Sequence, residues 1–440
     1  MISKYLCTLL VTALYVQLAF GQIVRRESGT QKPFTDKVPS SDKGKKDTML
    51  VQLLQQYPQY FESILKNKKK WNVQIIYTQI DRGQNGLPDL KNYYFNIDKS
   101  DYFYPASTIK LPICLLALQK LHELKDKGID LNTTMITGVA ADGQTAVYND
   151  PTTFDGKPTI ANYIKKILIV SDNDAYNRLY EFLGRSYINE QLHKMGYPDV
   201  QILHRLQIPL SAQQNSRTNP ISFLDYSDRI LYNQPMQIDS TLYNPRTDSL
   251  GECFYSGDSI INKPMDFSNK NRLSLESLHT ILLSLVFPEK VAATQRFNIT
   301  EADRNFVLKY MSQLPTESIL PPYAVDTSTY WPAYGKFLLF GAEKGPVAKS
   351  IRIFNKIGEA YGQLTDVAYI VDFDKKIEFF LSATIYCNGD GILNDDKYDY
   401  QNIGLPFLKH LGEVLYTYNL KRTKLNLPKL APFLFNYDGK

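Results

Sequence analysis

Apolar positions from Met49 to Lys66 (Leu50, Leu53, Leu54, Tyr57, Phe61, Ile64, Leu65) fall near a 3.6-residue period and predict a first helix. The run 73–80 (Val-Gln-Ile-Ile-Tyr-Thr-Gln-Ile) is rich in β-branched and aromatic residues. After a turn-prone stretch at 83–88, residues 93–97 predict its hairpin partner. Helical spacing dominates from Ser107 to about Leu210, interrupted by Gly/Pro/Asp loops over 138–158. Residues 215–270 lack a strong period and are rich in Tyr, Asn, Asp, Ser and Pro, which marks an insertion carrying short strands. Helical spacing returns at 274–286 and 301–314. The segments 335–340, 351–356, 367–373 and 377–386 then predict successive strands, and 405–418 an amphipathic closing helix. This order predicts an α+β domain whose antiparallel sheet is assembled from both chain ends and flanked by helices.

The first 21 residues change the cellular picture. Lys4, an apolar stretch from Leu6 to Phe20 and the small-x-small site Ala19-Phe20-Gly21 read as a secretory signal. The apolar stretch is short for a membrane span and is interrupted by Thr8, Thr12 and Gln17. Cleavage predicts an exported protein, periplasmic or extracellular, without a stable membrane anchor. Residues 22–47 are polar and read as a flexible leader, 48–418 as the folded domain, and 419–440 as a C-terminal tail.

Composition narrows the chemistry. Cys114, Cys253 and Cys387 are too few and too odd in number for a disulfide framework, though one bridge stays possible. The five histidines are scattered without ligand spacing, so neither a metal nor a cofactor is expected. A net charge of +5 over 440 residues is mild and its basic clusters are short, which sets nucleic acid aside. The expected partner is a small-molecule or peptide substrate; the oligomeric state is left open.

The candidate chemistry begins at Tyr104-Pro105-Ala106-Ser107-Thr108-Ile109-Lys110. On a helix, positions i and i+3 share a face, so the Lys110 amine lies beside the Ser107 hydroxyl. A desolvated lysine can take the proton that makes serine a nucleophile. A serine opening a helix also points its backbone N–H outward, ready for a developing oxyanion. Ser171-Asp172-Asn173 follows an apolar run and precedes a helical one. Ser171 can relay a proton and Asn173 can bind a substrate amide, although Ser, Asp and Asn are also good helix caps. Lys356-Ile357-Gly358-Glu359 stands at a predicted strand end. Gly358 would let a substrate approach the strand edge, and the Glu359 N–H could be a second oxyanion donor.

Each motif alone is weak, but their order and placement are not. The chain resembles the class A β-lactamase branch of the penicillin-recognising serine hydrolases, from about residue 48 to 418. The likeness rests on the early strand pair and Pro105-Ala106-Ser107-Thr108-x-Lys110. It extends to Ser171-Asp172-Asn173-Asp174-Ala175-Tyr176-Asn177 and Tyr361-Gly362-x-Leu364-Thr365-Asp366-Val367-Ala368. The resemblance implies a β-lactamase/transpeptidase-like fold, with a helical lobe carrying S-x-x-K and S-D-N. It implies Ser107 as acylated nucleophile, Lys110 as base or relay, and Ser171 with Lys356 as proton shuttle. Asn173, Gly358 and Glu359 would serve substrate binding, with the N–H groups of Ser107 and Glu359 as oxyanion hole.

Two departures qualify what the resemblance implies. Class A enzymes use a loop glutamate to activate the deacylating water, yet residues 204–215 hold no carboxylate. Gln207 or Gln213 can orient a water but cannot take its proton, so an acyl group on Ser107 is expected to persist unless Lys110 serves both steps. Glu181, Glu190 or a residue of the 215–270 insertion are the candidate substitutes, although nothing in the sequence places them at the site. Ile357 stands where the family has a hydroxyl that helps hold the substrate carboxylate, and Glu359 adds negative charge; both weigh against an anionic substrate. The readings left open are β-lactam hydrolysis, a D,D-peptidase or esterase-like activity, and a non-catalytic peptide- or glycan-binding descendant.

Overall fold

The computed structural model describes residues 47–437; the segments expected to be a signal sequence (1–21) and, but for Asp47, a leader (22–47) lie outside the described residues. The N-terminal helical pattern is two helices, α1 (Thr48–Gln55) and α2 (Pro58–Lys66), where one was expected. Pro58 has no N–H to donate and crowds Tyr57 out of helical geometry (φ −125°, ψ 62°), so the chain breaks and restarts with proline at the first helical position.

The hairpin β1 (Gln74–Arg82) and β2 (Pro88–Phe95) forms as expected. Helix α3 (Lys110–Glu123) follows a 3₁₀ turn at Ala106–Ile109. Pro112 is thus third in the α-helix, where its missing N–H has no intrahelical partner to lose. A short strand, β3 (Thr134–Thr137), escaped the sequence reading. Helices α4 (Ile160–Val170), α5 (Asn173–Leu183) and α6 (Arg185–Lys194) complete the lobe around α3.

The 215–270 region carries short strands as expected, but its first part is built into the domain. There β4 (Ile221–Leu224) pairs with β3 and with β5 (Ile230–Gln234). Strands β6 (Ser249–Leu250), β7 (Cys253–Ser256), β8 (Ser259–Ile261) and β9 (Met265–Asp266) form two further small pairings. Helices α7 (Leu275–Val286) and α8 (Glu301–Ser312) match their periodic segments.

The predicted strand at 335–340 is instead a short kinked helical turn, Phe337–Phe340, with Leu338 extended and Leu339 at φ 90°. Its side chains are all buried, and periodicity does not distinguish a short buried strand from a buried turn. It packs over the sheet face, where the Leu338 N–H donates to the Asp366 carboxylate at 3.0 Å. Gly412 permits the turn to dock: a Cβ there would lie 2.5 Å from Leu339 N.

The last strands are β10 (Ile351–Ala360), β11 (Gln363–Asp372) and β12 (Ile377–Tyr386), with β13 (Ile392–Leu393) lying parallel to β7. The main sheet has the order β10-β11-β12-β1-β2, antiparallel throughout, so both chain ends build it as expected. Helix α9 (Leu405–Lys421), α1 and α2 cover one face, burying Leu50, Leu54, Phe61, Leu408, Leu411 and Leu415 against Ile370, Phe379 and Leu381. The helical lobe covers the other, with Leu111, Leu115, Ile164 and Tyr176 in one core with Val367, Tyr369 and Phe380. The chain beyond α9 is not left loose: Phe433 is buried against Phe354, Tyr369 and Phe287. Cys114, Cys253 and Cys387 are free thiols, which closes the disulfide question for the described residues.

Candidate active site

Strand β10 is the sheet's edge, and the turn that carries Ser107 is tucked against it. A Cβ on Gly358 would sit 2.6 Å from Pro105 O and 3.2 Å from Thr108 N, so only glycine allows this approach. The glycine was expected to admit a substrate; what it admits is the nucleophile's own turn. Ala106 adopts φ +46°, a left-handed conformation costly for a residue with a Cβ, immediately before Ser107.

Ser171 and Asn173 arrive from a junction between two helices. Helix α4 ends with Ser171 at φ +62°, whose N–H bonds Ile167 O, while Asp172 caps α5 by accepting from Ala175 N at 2.8 Å. The cap expected of this tripeptide is made by its middle residue alone. Asp172 caps, which leaves Ser171 and Asn173 to face Lys110.

Five of the sequence-nominated side chains meet at one point. Lys110 Nζ lies 2.9 Å from Ser107 Oγ, 2.5 Å from Ser171 O, 2.7 Å from Asn173 Oδ1 and 3.3 Å from Ser171 Oγ. Lys356 Nζ donates to Ser171 Oγ at 2.8 Å and to Ile357 O at 3.0 Å. Among the described residues, no carboxylate oxygen bonds any of these five side chains.

Both amines are buried, at 0% and 2% exposure. Burial, reinforced by the Lys356 charge, holds the Lys110 amine well below the usual lysine range. Burial likewise pushes Lys356 down to about 7. A neutral Lys110 has two N–H bonds to give, and Ser171 O and Asn173 Oδ1 accept without being able to donate. That geometry leaves the nitrogen lone pair for the Ser107 hydroxyl proton.

The remaining nominees sit differently. The pleat of β10 sends Lys356 and Gly358 toward the helical lobe, and Asn355, Ile357 and Glu359 to the opposite face. Ile357 packs there with the second core, and the Glu359 charge is felt by Tyr334, Tyr400 and Cys387. Only the main chain of Glu359 shares the Ser107 side of the strand. Glu181 is no substitute base, because it is sealed between Arg178 and Arg205. Glu190 is none either, lying exposed with Lys194.

Two features of the cleft escaped the sequence reading. One is the contact of Gln207, whose Oε1 accepts from Asn173 Nδ2 at 2.7 Å. The other is a pair of aromatic walls. On one side Tyr104, Phe267 and Tyr361 meet edge to face at 5.2–5.7 Å, which brings the 249–267 region beside the nucleophile's turn. On the other, Tyr323, Tyr330 and Tyr334 meet edge to face at 5.0 and 5.3 Å, from the Asp172 end toward Glu359. The richness in tyrosine was the available signal, but nothing in the spacing assigned it to a site.

No group of three or more His, Cys, Asp or Glu side chains suited to a metal occurs among the described residues, nor does any described helix have the length and apolarity to cross a membrane. The chain belongs to the β-lactamase enzyme family, whose sequence model matches residues 58–388. Among solved structures it is similar to a β-lactamase from Xanthomonas campestris (12% identity, covering 84% of this chain and 98% of that one, TM-score 0.44). It is also similar to a class A β-lactamase from Clostridium kluyveri (14% identity, covering 82% and 98%, TM-score 0.44). No curated protein matches the chain.

Proposed function

We propose that this protein is an exported serine hydrolase that opens an amide or ester bond of a small molecule or peptide through an acyl-enzyme on Ser107. The observation that carries the reading is the buried Lys110 amine, 2.9 Å from Ser107 Oγ with its hydrogens committed to two pure acceptors. In the reaction, Ser107 Oγ bonds the substrate carbonyl carbon as its proton passes to Lys110 Nζ. The Ser107 and Glu359 N–H groups take the oxyanion, and each such donor contributes about 3 kcal/mol to the transition state. Ser171, bridging Lys110 and Lys356, delivers a proton to the leaving group as the carbonyl–leaving-group bond breaks. Asn173 holds the substrate amide.

Within this class, a neutral amide or ester is favoured over a β-lactam. The strand position next to Lys356 is isoleucine, and the adjoining wall is a row of tyrosines. Neither carries a positive charge to pair with a substrate carboxylate. Export rests on the 1–21 segment. The test is labelling by a fluorophosphonate and by a fluorescent penicillin, with Ser107→Ala as control. Label on the wild type that disappears in Ser107→Ala supports the reading; a folded protein that takes neither probe contradicts it.

A further inference from the structure

Gln207 follows a residue that the lobe pins in place. The preceding residue, Leu206, is bonded twice to Asn177: Leu206 N donates to Asn177 Oδ1 at 2.8 Å, and Asn177 Nδ2 donates to Leu206 O at 3.0 Å. Gln207 then takes φ +59°, a left-handed conformation that costs a residue with a Cβ about 1–2 kcal/mol. Such a cost is retained where the side chain's direction matters. The direction it gives is toward Asn173. The Gln207 Oε1 contact at 2.7 Å decides which way the Asn173 amide faces: its NH₂ turns to Gln207, its carbonyl to Lys110. Three hydrogen bonds thus join Gln207 to the nucleophile, through Asn173 and Lys110.

We infer that Gln207 is a positioning residue that sets the Asn173 amide for acylation of Ser107 and, being an amide, leaves the resulting acyl-enzyme without a carboxylate base, so that the adduct is long-lived. The inference rests on the serine acylation proposed above. In hydrolysis of the adduct, a water oxygen bonds the acyl carbon, the acyl carbon–Ser107 Oγ bond breaks, and the water proton must go to a base. Gln207 cannot accept it. Among the described residues, the base that bonds Ser107 Oγ is Lys110 Nζ, which must then return a proton to that oxygen. A carboxylate at position 207 would still accept from Asn173 Nδ2 and would add a proton acceptor at the solvent-exposed side of the site.

The experiment follows the intact mass of wild type, Gln207→Glu and Gln207→Gly after a pulse of benzylpenicillin and of a neutral activated ester, from seconds to hours and from pH 5 to 9. Glycine accepts the positive φ, so Gln207→Gly removes the side chain without straining the loop. The wild-type adduct is expected to persist. Gln207→Glu is expected to shorten its lifetime by about 10²-fold, within the usual contribution of a general base, and to give the clearance rate an acid limb that the wild type lacks. Gln207→Gly is expected to form the adduct at least tenfold more slowly. A wild-type adduct that clears as fast as that of Gln207→Glu, or a Gln207→Gly that acylates like the wild type, overturns the inference. If no variant is acylated by either reagent, the serine-acylation reading itself fails, and this one with it.

Discussion

The two faces of strand β10 each bury a lysine, and the contrast between them shows what makes a buried amine useful. On the lobe face, Lys356 meets the hydroxyl of Ser171, a group that both accepts and donates. On the opposite face, Lys336 is held by three acceptors: Met311 O at 2.7 Å, Ile353 O at 3.0 Å and Asn355 Oδ1 at 2.7 Å. Asn355 in turn bonds Asp366, whose other oxygen takes the Leu338 N–H at 3.0 Å. Burial pushes both amines down to about 7. The difference is therefore in the partners. Three acceptors for three ammonium hydrogens tie Lys336 into the fold, whereas Lys110 and Lys356 are joined by a hydroxyl that can pass a proton on.

The contrast breaks if the two classes of lysine prove interchangeable. The largest expected effect is that of Lys110→Met, which removes the base from Ser107. Fluorophosphonate labelling rates of the folded fraction should fall by about 10³-fold or more. Lys336→Met should do the reverse. Orphaning Met311 O, Ile353 O and Asn355 Oδ1 is expected to cost about 3–5 kcal/mol in denaturant unfolding, while the folded fraction still labels at a rate near that of the wild type. Loss of labelling in folded Lys336→Met would place that amine in the catalytic path.

Lys356→Met sharpens the comparison through pH. Lys110 is depressed first by burial and then by the positive charge of Lys356. Removing that charge raises the Lys110 pKa, so more of the amine is protonated at any given pH. The acid limb of the labelling profile should therefore move to higher pH; an unmoved limb would mean that Lys110 is not the titrating base. Gly358→Ala should cost about 1–3 kcal/mol, because its methyl would overlap Pro105 O, and it should slow labelling by displacing the Ser107 turn. The smallest effect belongs to the cleft wall. Tyr330→Ala should change unfolding by under about 1 kcal/mol, yet alter the ranking of ester probes with aromatic and aliphatic acyl groups.

Much of the inner site could be read from residues alone because its chemistry is local. Ser107 and Lys110 are one helical turn apart, Ser171 and Asn173 flank one helix start, and hydrophobic period placed each on its element. The strands of the main sheet were legible for the same reason, since 351–356, 367–373 and 377–386 are buried β-branched and aromatic runs. The surroundings were not legible, because they depend on backbone conformations that no residue type announces. Ala106, Ser171 and Gln207 all take positive φ without being glycine, so the turns that aim Ser107 and Gln207 left no mark. The 337–340 turn is fixed by Asp366 and Gly412, distant in sequence. Pro58, by contrast, was a readable stop that the apolar period across it concealed.

The central claim is that Lys110 makes Ser107, and no other residue, the group that takes an acyl or phosphonyl probe. The most direct measurement is peptide mass mapping after labelling at neutral pH. The account predicts the added mass on the tryptic peptide spanning residues 100–110, which contains Ser107, and its loss in Ser107→Ala. Label on another peptide, or none on a folded protein, would contradict it.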